Sequence, residues 1–425
     1  MKKFDHNFKL VLVSQIISLI GGNILRFALL LFILDISGSA GTFGLVMAIS
    51  QIPVFLFAIP GGIIADRMNK KKLIVFFDGI KTVICAGLLA IFLAGAYSIA
   101  NLTAIIAVFM MIMTLFTPIL TAATPAIVDG EVLEEANGAI QAINATSELL
   151  SFVLGGILIA TIGIMNIIIL AGVSFLISTI IDLFIKIAYQ KEQSEFGVIK
   201  TAALDMKKSL NYATKKNPLI IKLATSMGFF SFLIMPIMTV AMPYIIRIQF
   251  QASDTMFGVS QAVGAFGMLL GGILSGKFKK WLEIKHFAKL VSIVAALCLL
   301  LAVTVYAPLF SGVALPFWLF NIILMFVMVL MTFGTVIAMS LIQKQVPEKY
   351  LGKTIALMIT IINVSIPVSQ YIFGTMMNLL AGRNSFLFIA IGLLMMGLAV
   401  LGRKAFNDVE TPVEVHGHNA SCLVR

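Results

Sequence analysis

Charged residues are scarce in this chain, and their scarcity excludes most classes of soluble protein. Asp, Glu, Lys and Arg make up 12% of the 425 residues, whereas 60% are hydrophobic. A soluble domain carries about 25% charged residues, so this composition is typical of a chain that lies mostly in lipid. Cysteine is also rare, with Cys85, Cys298 and Cys422 far apart. This spacing predicts neither a disulfide framework nor a zinc site.

Two other sequence patterns are missing as well, that of a nucleotide-binding loop and that of a membrane barrel. No Gly-x-x-x-x-Gly-Lys-Ser/Thr loop is present to hold a nucleotide phosphate, which disfavours a pump energised by ATP. The apolar stretches do not alternate with polar residues, as the strands of a membrane barrel would. We predict no enzymatic activity, no cofactor and no metal site, the tail residues His416 and His418 included.

Long apolar runs are what the sequence has in abundance. Each crossing of the hydrocarbon needs about 20 residues as a helix, because a spanning backbone must satisfy its own hydrogen bonds. The runs predict twelve transmembrane helices, at 10–34, 43–64, 74–96, 102–124, 138–161, 165–187, 219–246, 257–276, 286–306, 315–340, 354–378 and 385–402.

These spans predict an all-α polytopic membrane protein made of two pseudo-symmetric six-helix bundles. The bundles occupy 1–188 and 218–404 and are joined by a cytoplasmic amphipathic linker, 189–217. The tail, 405–425, differs in composition from the rest, and we expect it to be cytoplasmic and partly foreign to the natural chain.

The basic residues predict the orientation of the spans. Nearly all of the 30 Lys and Arg residues fall beside loops on one side of the membrane, and only Arg247 and Arg383 fall on the other. Cytoplasmic loops retain Lys and Arg, so both termini are predicted to be cytoplasmic. The net charge of +11 then reflects topology and contact with anionic lipids rather than nucleic-acid binding.

A hairpin between the second and third spans concentrates opposite charges. It reads Gly62-Ile-Ile-Ala-Asp66-Arg67-Met-Asn69-Lys70-Lys71-Lys72. Asp66 can meet a helix N-terminus, which carries roughly half a positive charge, and Asn69 tolerates a left-handed turn better than most residues. A degenerate copy without the acid, Gly272-x-x-x-Gly276-Lys277, follows the eighth span, as expected of a duplicated six-helix unit.

Motifs over most of the chain carry a family resemblance. They are Asp66-Arg67-x-x-Lys70-Lys71-Lys72, Thr117-Pro118 with Thr124-Pro125, Asn217-Pro218-Leu219, Met235-Pro236-Ile237, and Pro347-Glu348-Lys349-Tyr350-Leu351-Gly352-Lys353. With these motifs the sequence resembles the drug-efflux branch of the major facilitator superfamily, near the bacterial macrolide-efflux and enterobactin-exporter group.

The resemblance implies a monomeric secondary transporter in the cell (inner) membrane. It implies export of small amphipathic drugs or natural products by alternating access, with protons exchanged in antiport, membrane lipids as surroundings and antibiotic resistance as an outcome. A siderophore exporter or a lysolipid translocase of the same fold is the alternative. The fourth span lacks the basic residue of many proton-coupled relatives, and Leu154 stands where an antiporter motif expects proline, so antiport rests on family analogy.

The resemblance also makes the charged hairpin a gate latch, formed by Gly62, Asp66, Arg67, Lys70 and Lys71. Asp66 would meet the start of the eleventh span and hold the two halves together on the cytoplasmic side. The alternative is a loop whose Lys residues only fix the orientation of the helices.

Five ionisable residues fall inside the predicted spans, all in the first half: Arg26, Asp78, Lys81, Glu148 and Asp182. A charge near a helix centre costs ~2.5 to 3.5 kcal/mol on insertion scales and usually has a role. Glu148 and Arg26 are predicted to serve proton coupling or substrate contact, or else to form a fixed ion pair. Asp78 and Lys81 are candidates for a second network, with a local pair or a connection to the charged hairpin as the alternatives. Asp182 is expected to snorkel, and Asp35 is expected to lie at the surface.

The resemblance implies a substrate cavity lined by helices one, four, seven and ten. The polar faces of helices five and eleven are added as candidates; for helix eleven the alternative is that its polar residues accommodate a kink at Pro367. Met adapts to irregular apolar shapes, aromatic rings add contact area, and amides or hydroxyls orient a ligand. The predicted lining is Asn23, Met110, Met113, Thr114, Gln141, Asn144, Phe230, Met235, Trp318, Asn321, Met325, Asn363 and Gln370. For each Met the alternative is packing or lipid contact.

The latch hypothesis predicts the behaviour of Asp66→Asn. The variant should insert normally, because the asparagine leaves the Lys residues that set topology in place. Its transport rate should fall several-fold, and cysteine labelling should detect more of the inward-open state. Unchanged state populations would favour the topogenic alternative.

Overall fold

The computed structural model describes residues 5–128, 132–187, 218–278, 281–306, 314–346, 348–380 and 382–406. Within these ranges the side chains are described except those of 58–63, 65–67, 134, 145, 149, 218, 348–353, 356, 405 and 406. The predicted linker and nearly all of the predicted tail lie outside the described residues. The proposed domain bounds therefore stay a prediction.

Long apolar helices account for most of the described chain. They are α1 (His6–Ser37), α2 (Ala40–Arg67), α3 (Lys70–Leu93), α4 (Ile99–Ala123), α5 (Leu133–Phe184), α6 (Pro218–Pro236), α7 (Asp254–Lys277), α8 (Phe287–Val305), α9 (Ala314–Gln345), α10 (Glu348–Leu379) and α11 (Ser385–Phe406). Each belongs to a stretch long and apolar enough to cross a membrane. The predicted all-α polytopic fold is confirmed.

Helix α5 is about twice as long as its neighbours because it turns back on itself without a loop. Its 52 residues contain one non-helical residue, Gly163, at φ 73° and ψ 170°. The contacts with α1 show the reversal. They are Gln15 with Asn144 and Phe27 with Phe152 before the glycine, and Gly21 with Ser174 and Ser14 with Asp182 after it.

The first arm, here α5a, runs parallel to α1, and the second arm, here α5b, runs antiparallel to it. Counting both arms, the described helices cross the membrane twelve times, as predicted. The sequence placed a three-residue break between the fifth and sixth spans, whereas the structure makes the turn at a single glycine.

Side-chain caps fix where several helices begin. Ser39, Ser98 and Ser253 each accept a hydrogen bond from a backbone N–H in the first turn of the next helix, which satisfies one of the orphan donors there. Asn69 does the same for α3, accepting from the Lys72 N–H at 3.1 Å. Its φ is −64°, so the left-handed turn expected there is wrong; Asn69 acts as a cap.

The N-terminal half (residues 5–187) and the C-terminal half (218–406) are packed by different groups of buried residues. The largest group fills the C-terminal half, and three smaller groups fill the N-terminal half. The halves meet where α1 ends and α2 begins, here called the Asp35 end. There Phe27 and Phe257 lie 5.2 Å apart between ring centroids, and Leu34, Phe43 and Val240 pack together.

The turn at Gly163 gives a stability prediction. Its φ and ψ fall in a region used almost only by glycine, where another residue costs of order 1–3 kcal/mol. Gly163→Ala should therefore lower the unfolding temperature of the purified protein in detergent.

Gly397→Ala is the matched control, because an added Cβ at this helical position meets nothing within 4 Å. It should leave the unfolding temperature unchanged or raise it, since alanine favours a helix by roughly 0.5–1 kcal/mol over glycine. Equal effects of the two substitutions would contradict the assigned turn.

Candidate functional site

A cavity of about 550 Å³ lies between the two halves. Helices α1, α2 and α5a line it from the N-terminal half, and the span that begins with α6, together with α7 and α9, lines it from the C-terminal half. Most of the lining is Leu, Phe and Met, which suits a bulky apolar ligand. The polar lining residues are Arg26, Gln51, Glu148, Thr239, Gln261 and Thr332.

Two irregular turns shape the wall contributed by α6. This helix continues past Pro236 through a π-helical turn, Ile237–Ala241, then Met242–Tyr244 and a second π-helical turn, Ile245–Gln249. Proline has no N–H and breaks the regular helical bonding, and single π turns are frequent at functional sites. Met238 and Thr239 of the first turn line the cavity.

Arg26 and Glu148 face each other inside the cavity. Their Nη2 and Oε1 atoms are 3.8 Å apart, and their side chains are 33% and 55% exposed. This distance is too long for a hydrogen bond, so the pair is a loose one. The Glu148 carboxylate keeps room for a second cationic partner.

The polar stripe that leads to Glu148 joins α5a to α1. Asn144 accepts a hydrogen bond of 3.0 Å from the Gln15 side chain, while Gln141 is exposed. The stripe is therefore divided, with only Glu148 of the three on the cavity wall.

Of the thirteen predicted lining residues, Met235 lies on this cavity wall among the residues that the structure describes. Helix α4 contributes none of the described lining residues, because Met110 and Met113 pack against the N-terminal core and Thr114 bonds the Met110 carbonyl. Asn23 is half-buried on α1, outside the wall.

The other predicted lining residues of the C-terminal half also lie outside the cavity wall. Phe230 is fully buried in the core, Trp318 is exposed, and Asn321 is buried and donates to the Phe317 carbonyl. The Met325 carbonyl packs on Gly267, and Asn363 is exposed. Gln370 is buried and donates to the cavity residue Thr239 at 3.2 Å, so it supports the wall from behind.

A second polar cluster is fully buried between α1, α3 and α5b. Asp78, Lys81 and Asp182 are each 1% exposed. Lys81 pairs with Asp78, and serine hydroxyls of α1 and α5b fill the space around them. The expectation that Asp182 snorkels is wrong, because its carboxyl group points into this cluster.

The Asp35 end carries an ion cluster that the sequence reading missed. The Arg247 Nε and Nη2 atoms donate to the two Asp35 carboxylate oxygens at 2.6 and 2.8 Å, and Nη1 lies 2.7 Å from Asp254. Asp35 is exposed, as expected, and it also ties α1 to the span that begins with α6. The available signal was that the predicted topology puts Asp35 and Arg247 on one side of the membrane.

Close helix crossings reinforce this end. A Cβ added at Gly44 on α2 would lie 2.5 Å from the Gln370 carbonyl on α10, and one at Gly156 on α5a would lie 2.6 Å from the Asp254 carbonyl. Asn378 also donates to Ser39 across the halves at 2.8 Å. Backbones can approach this closely only at glycine, so the Asp35 end is tightly closed.

The predicted gate latch lies at the opposite end, where α2 ends and α3 begins. Gly62, Asp66 and Arg67 are outside the residues whose side chains are described. Lys70 is half-buried, and the Lys71 Nζ atom donates to the Leu183 carbonyl on α5b at 2.8 Å, within the N-terminal half. The latch stays a prediction.

Comparison with known sequences identifies a family and relatives. A sequence model described as the Major Facilitator Superfamily matches residues 11–369. The chain is also similar to macrolide efflux protein A of Streptococcus pyogenes, with 22% identity over 386 residues, 87% of this chain and 89% of that protein.

Solved structures show the same fold at low identity. A nucleoside transporter, NupG, has a TM-score of 0.73 and 11% identity over 95% of this chain and 99% of that one. An inward-facing, unoccupied bacterial homolog of the human lysosomal transporter Spinster has a TM-score of 0.68 and 15% identity over 95% and 97%. An inward-facing bacterial homologue of the iron transporter ferroportin has a TM-score of 0.68 and 15% identity over 93% and 98%.

The ion cluster predicts how Asp35→Asn changes the conformational balance. The variant loses the bidentate, charge-assisted bond to Arg247, so the Asp35 end should open more often. A loss of about 1 kcal/mol would change the population ratio of the two states about fivefold, measurable by spin-label distances across this end. Glu283→Gln is the control for the loss of a carboxylate, since Glu283 pairs with Lys285, two residues further along the chain. An unchanged distance distribution in Asp35→Asn would show that the Arg247 ion cluster does not hold the Asp35 end closed.

Proposed function

Because the chain belongs to the Major Facilitator Superfamily, and is thus a multi-pass membrane transporter, we propose that it exports bulky amphipathic compounds from the cell by proton antiport. The membership confirms the family predicted from the sequence motifs. The export direction and the compound class are supported by the full-length similarity to a macrolide efflux protein. The coupling ion is proposed from family analogy.

The observation that carries the proposal is the cavity between the two halves. Its walls are mainly apolar, with a few polar groups that can orient a ligand. A volume of about 550 Å³ falls within the range of drug-sized sites. Because both halves line it, a rocking movement of one half against the other would change which side of the membrane it opens to.

We assign substrate contact to Glu148 and Arg26. Both side chains are partly exposed in the cavity and only loosely paired. A basic amine on an amphipathic substrate can displace Arg26 from Glu148 and form a charge-assisted bond with this carboxylate. The apolar walls would hold the rest of the molecule.

We also propose the orientation and the state. If the Lys and Arg residues keep both termini in the cytoplasm, the closed Asp35 end faces outward. The structure then corresponds to an inward-facing state, in which a substrate enters the cavity from the cytoplasm or the inner leaflet. The tight closure by Arg247 and the glycine crossings supports this assignment.

Vesicle transport tests the proposed function. Proteoliposomes with an imposed pH gradient should concentrate a macrolide or a cationic dye, and a protonophore should abolish the accumulation. A siderophore and a lysolipid serve as competing substrates. Movement of the lysolipid without a gradient, and no movement of the drugs, would instead support a lipid translocase.

A substitution at Glu148 tests the assigned contact. Glu148→Gln should reduce transport of a cationic amphiphile about tenfold, since a hydrogen bond to a charged group contributes about 1.5–3 kcal/mol. Transport of an uncharged amphiphile of similar size should change little. Glu283→Gln, which removes a carboxylate outside the cavity, is the control. Equal losses for the charged and uncharged compounds would show that Glu148 has a structural role and does not contact the ligand.

A further inference from the structure

The cluster of Asp78, Lys81 and Asp182 lies apart from the cavity. None of the three is among the residues that line it. They are held between α1, α3 and α5b, with Ser14, Ser18 and Ser178 around them, and all six side chains are buried. The cavity residues Arg26 and Glu148 are partly exposed, so the chain has two polar sites with different access to water.

Asp78 and Lys81 neutralise each other. Lys81 contacts Asp78 directly and donates to the Ser18 hydroxyl at 2.8 Å, and the ammonium lies 4.8 and 5.0 Å from the ring centroids of Phe116 and Phe175. Both ring faces attract a cation. Lys81 and Asp78 therefore form a buried ion pair, with aromatic rings beside the Lys81 Nζ atom.

Both oxygens of Asp78 are also hydrogen-bonded. Oδ1 accepts from the Ser18 hydroxyl at 3.1 Å, and Oδ2 accepts from the Ser178 hydroxyl. The Asp78 carboxylate therefore has partners at both atoms.

Asp182, unlike Asp78, does not have partners at both carboxylate oxygens. Its Oδ1 accepts from the Ser14 hydroxyl at 2.5 Å, but its Oδ2 is buried and has no partner among the described residues. A buried carboxylate without a cation costs several kcal/mol. The Lys81 ammonium is already paired with Asp78, and the Lys71 ammonium donates to the Leu183 carbonyl. A charged Asp182 would therefore leave the buried cluster with a net negative charge.

A proton on Asp182 resolves this imbalance. The Ser14 and Ser178 hydroxyls, 2.6 Å apart, connect the Asp182 carboxyl group to that of Asp78. A proton on Asp182 removes the excess negative charge from this buried cluster and supplies one more hydrogen-bond donor. The other ionisable groups around the cluster do not replace it. The buried Cys85 lies one helical turn after Lys81 on α3. The segment Ile99–Ala123 of α4 carries no charged residue, and the nearest ionisable residues on α1 are Lys9 and Arg26.

We propose that Asp182, with Asp78, Lys81 and the three serines, is a proton-binding site separate from the substrate cavity, and that it holds one exchangeable proton at neutral pH. Release moves the proton from the Asp182 carboxyl to water and leaves two carboxylates beside one ammonium. This step requires water to reach the cluster. Asp182 is two residues from the end of α5b at Phe184, so the shortest exit leads to the end opposite Asp35.

The link between this proton and transport rests on the proposed antiport, whereas the presence of the proton on Asp182 does not. Helix α1 provides the physical connection, because Ser14 and Ser18 contact the buried cluster and Arg26 lines the cavity. Gln15 also bonds Asn144, one turn before Glu148 on α5a. A shift of α1 on proton release would therefore move the cavity wall.

Infrared spectroscopy of the purified protein tests the site without any substrate. In a detergent that has no ester carbonyl, the wild type at neutral pH should show the carbonyl stretch of a protonated carboxyl group. The band should shift in deuterium oxide, because a transported proton must exchange. Asp182→Asn should remove it, Asp182→Glu should restore it at a shifted frequency, and Glu283→Gln should leave it unchanged.

Two results would overturn the proposal: a band that persists in Asp182→Asn, or a band that never exchanges with solvent. If Asp182→Asn does not fold, the wild type and Asp182→Glu still decide, since an unshifted band in Asp182→Glu would place the proton elsewhere. Should vesicles show no pH-driven drug transport while the band behaves as expected, the proposed antiport fails and the proton site stands.

Discussion

A charge buried in the hydrocarbon of a membrane needs an opposite charge, hydrogen-bond donors or water, and this requirement separates the two polar sites of the protein. Arg26 and Glu148 are paired loosely and remain accessible in a cavity. Asp78, Lys81 and Asp182 are closed off, so their charges must balance among themselves. Two carboxyl groups and one ammonium balance only with a proton. The same residue types therefore acquire different chemistry from their surroundings.

Helix α1 is in contact with every site. Its residues Ser14 and Ser18 bond the buried cluster, Arg26 and Phe27 line the cavity, and Asp35 closes the far end by its pair with Arg247. A single rigid helix that touches a proton site, a ligand site and a gate can couple all three through one displacement. Such coupling needs two discrete arrangements of the helix, and the loose pair of Arg26 with Glu148 is the contact most easily rearranged.

Much of the fold follows from the sequence, because the hydrocarbon imposes a length and a composition on each span. Twelve crossings could be counted from apolar runs alone. The break between the fifth and sixth spans was placed at 162–164, which includes Gly163, but its form was not predicted, because the reversal depends on the backbone conformation of this one residue. Asn69 was expected in a left-handed turn, which asparagine tolerates better than most residues. An asparagine before a helix is also a good cap, and the structure shows the cap.

The sites were less predictable, for a physical reason. Charges at membrane depth are rare and can be found by inspection, so Arg26, Glu148, Asp78 and Lys81 were identified. Which face of a helix meets the cavity depends on packing between distant segments, so most of the predicted lining residues, such as Phe230 and Trp318, lie elsewhere. Asp35 and Arg247 are 212 residues apart in sequence, and no local pattern indicates that they pair.

The central claim is that substrate contact and proton binding occupy separate sites. Two measurements on Asp182→Asn in vesicles test it most directly. One is the exchange of substrate across the membrane without any gradient, and the other is the accumulation of substrate driven by a pH gradient. The account predicts that exchange persists near the wild-type rate while accumulation is lost. Accumulation that survives in Asp182→Asn would contradict it.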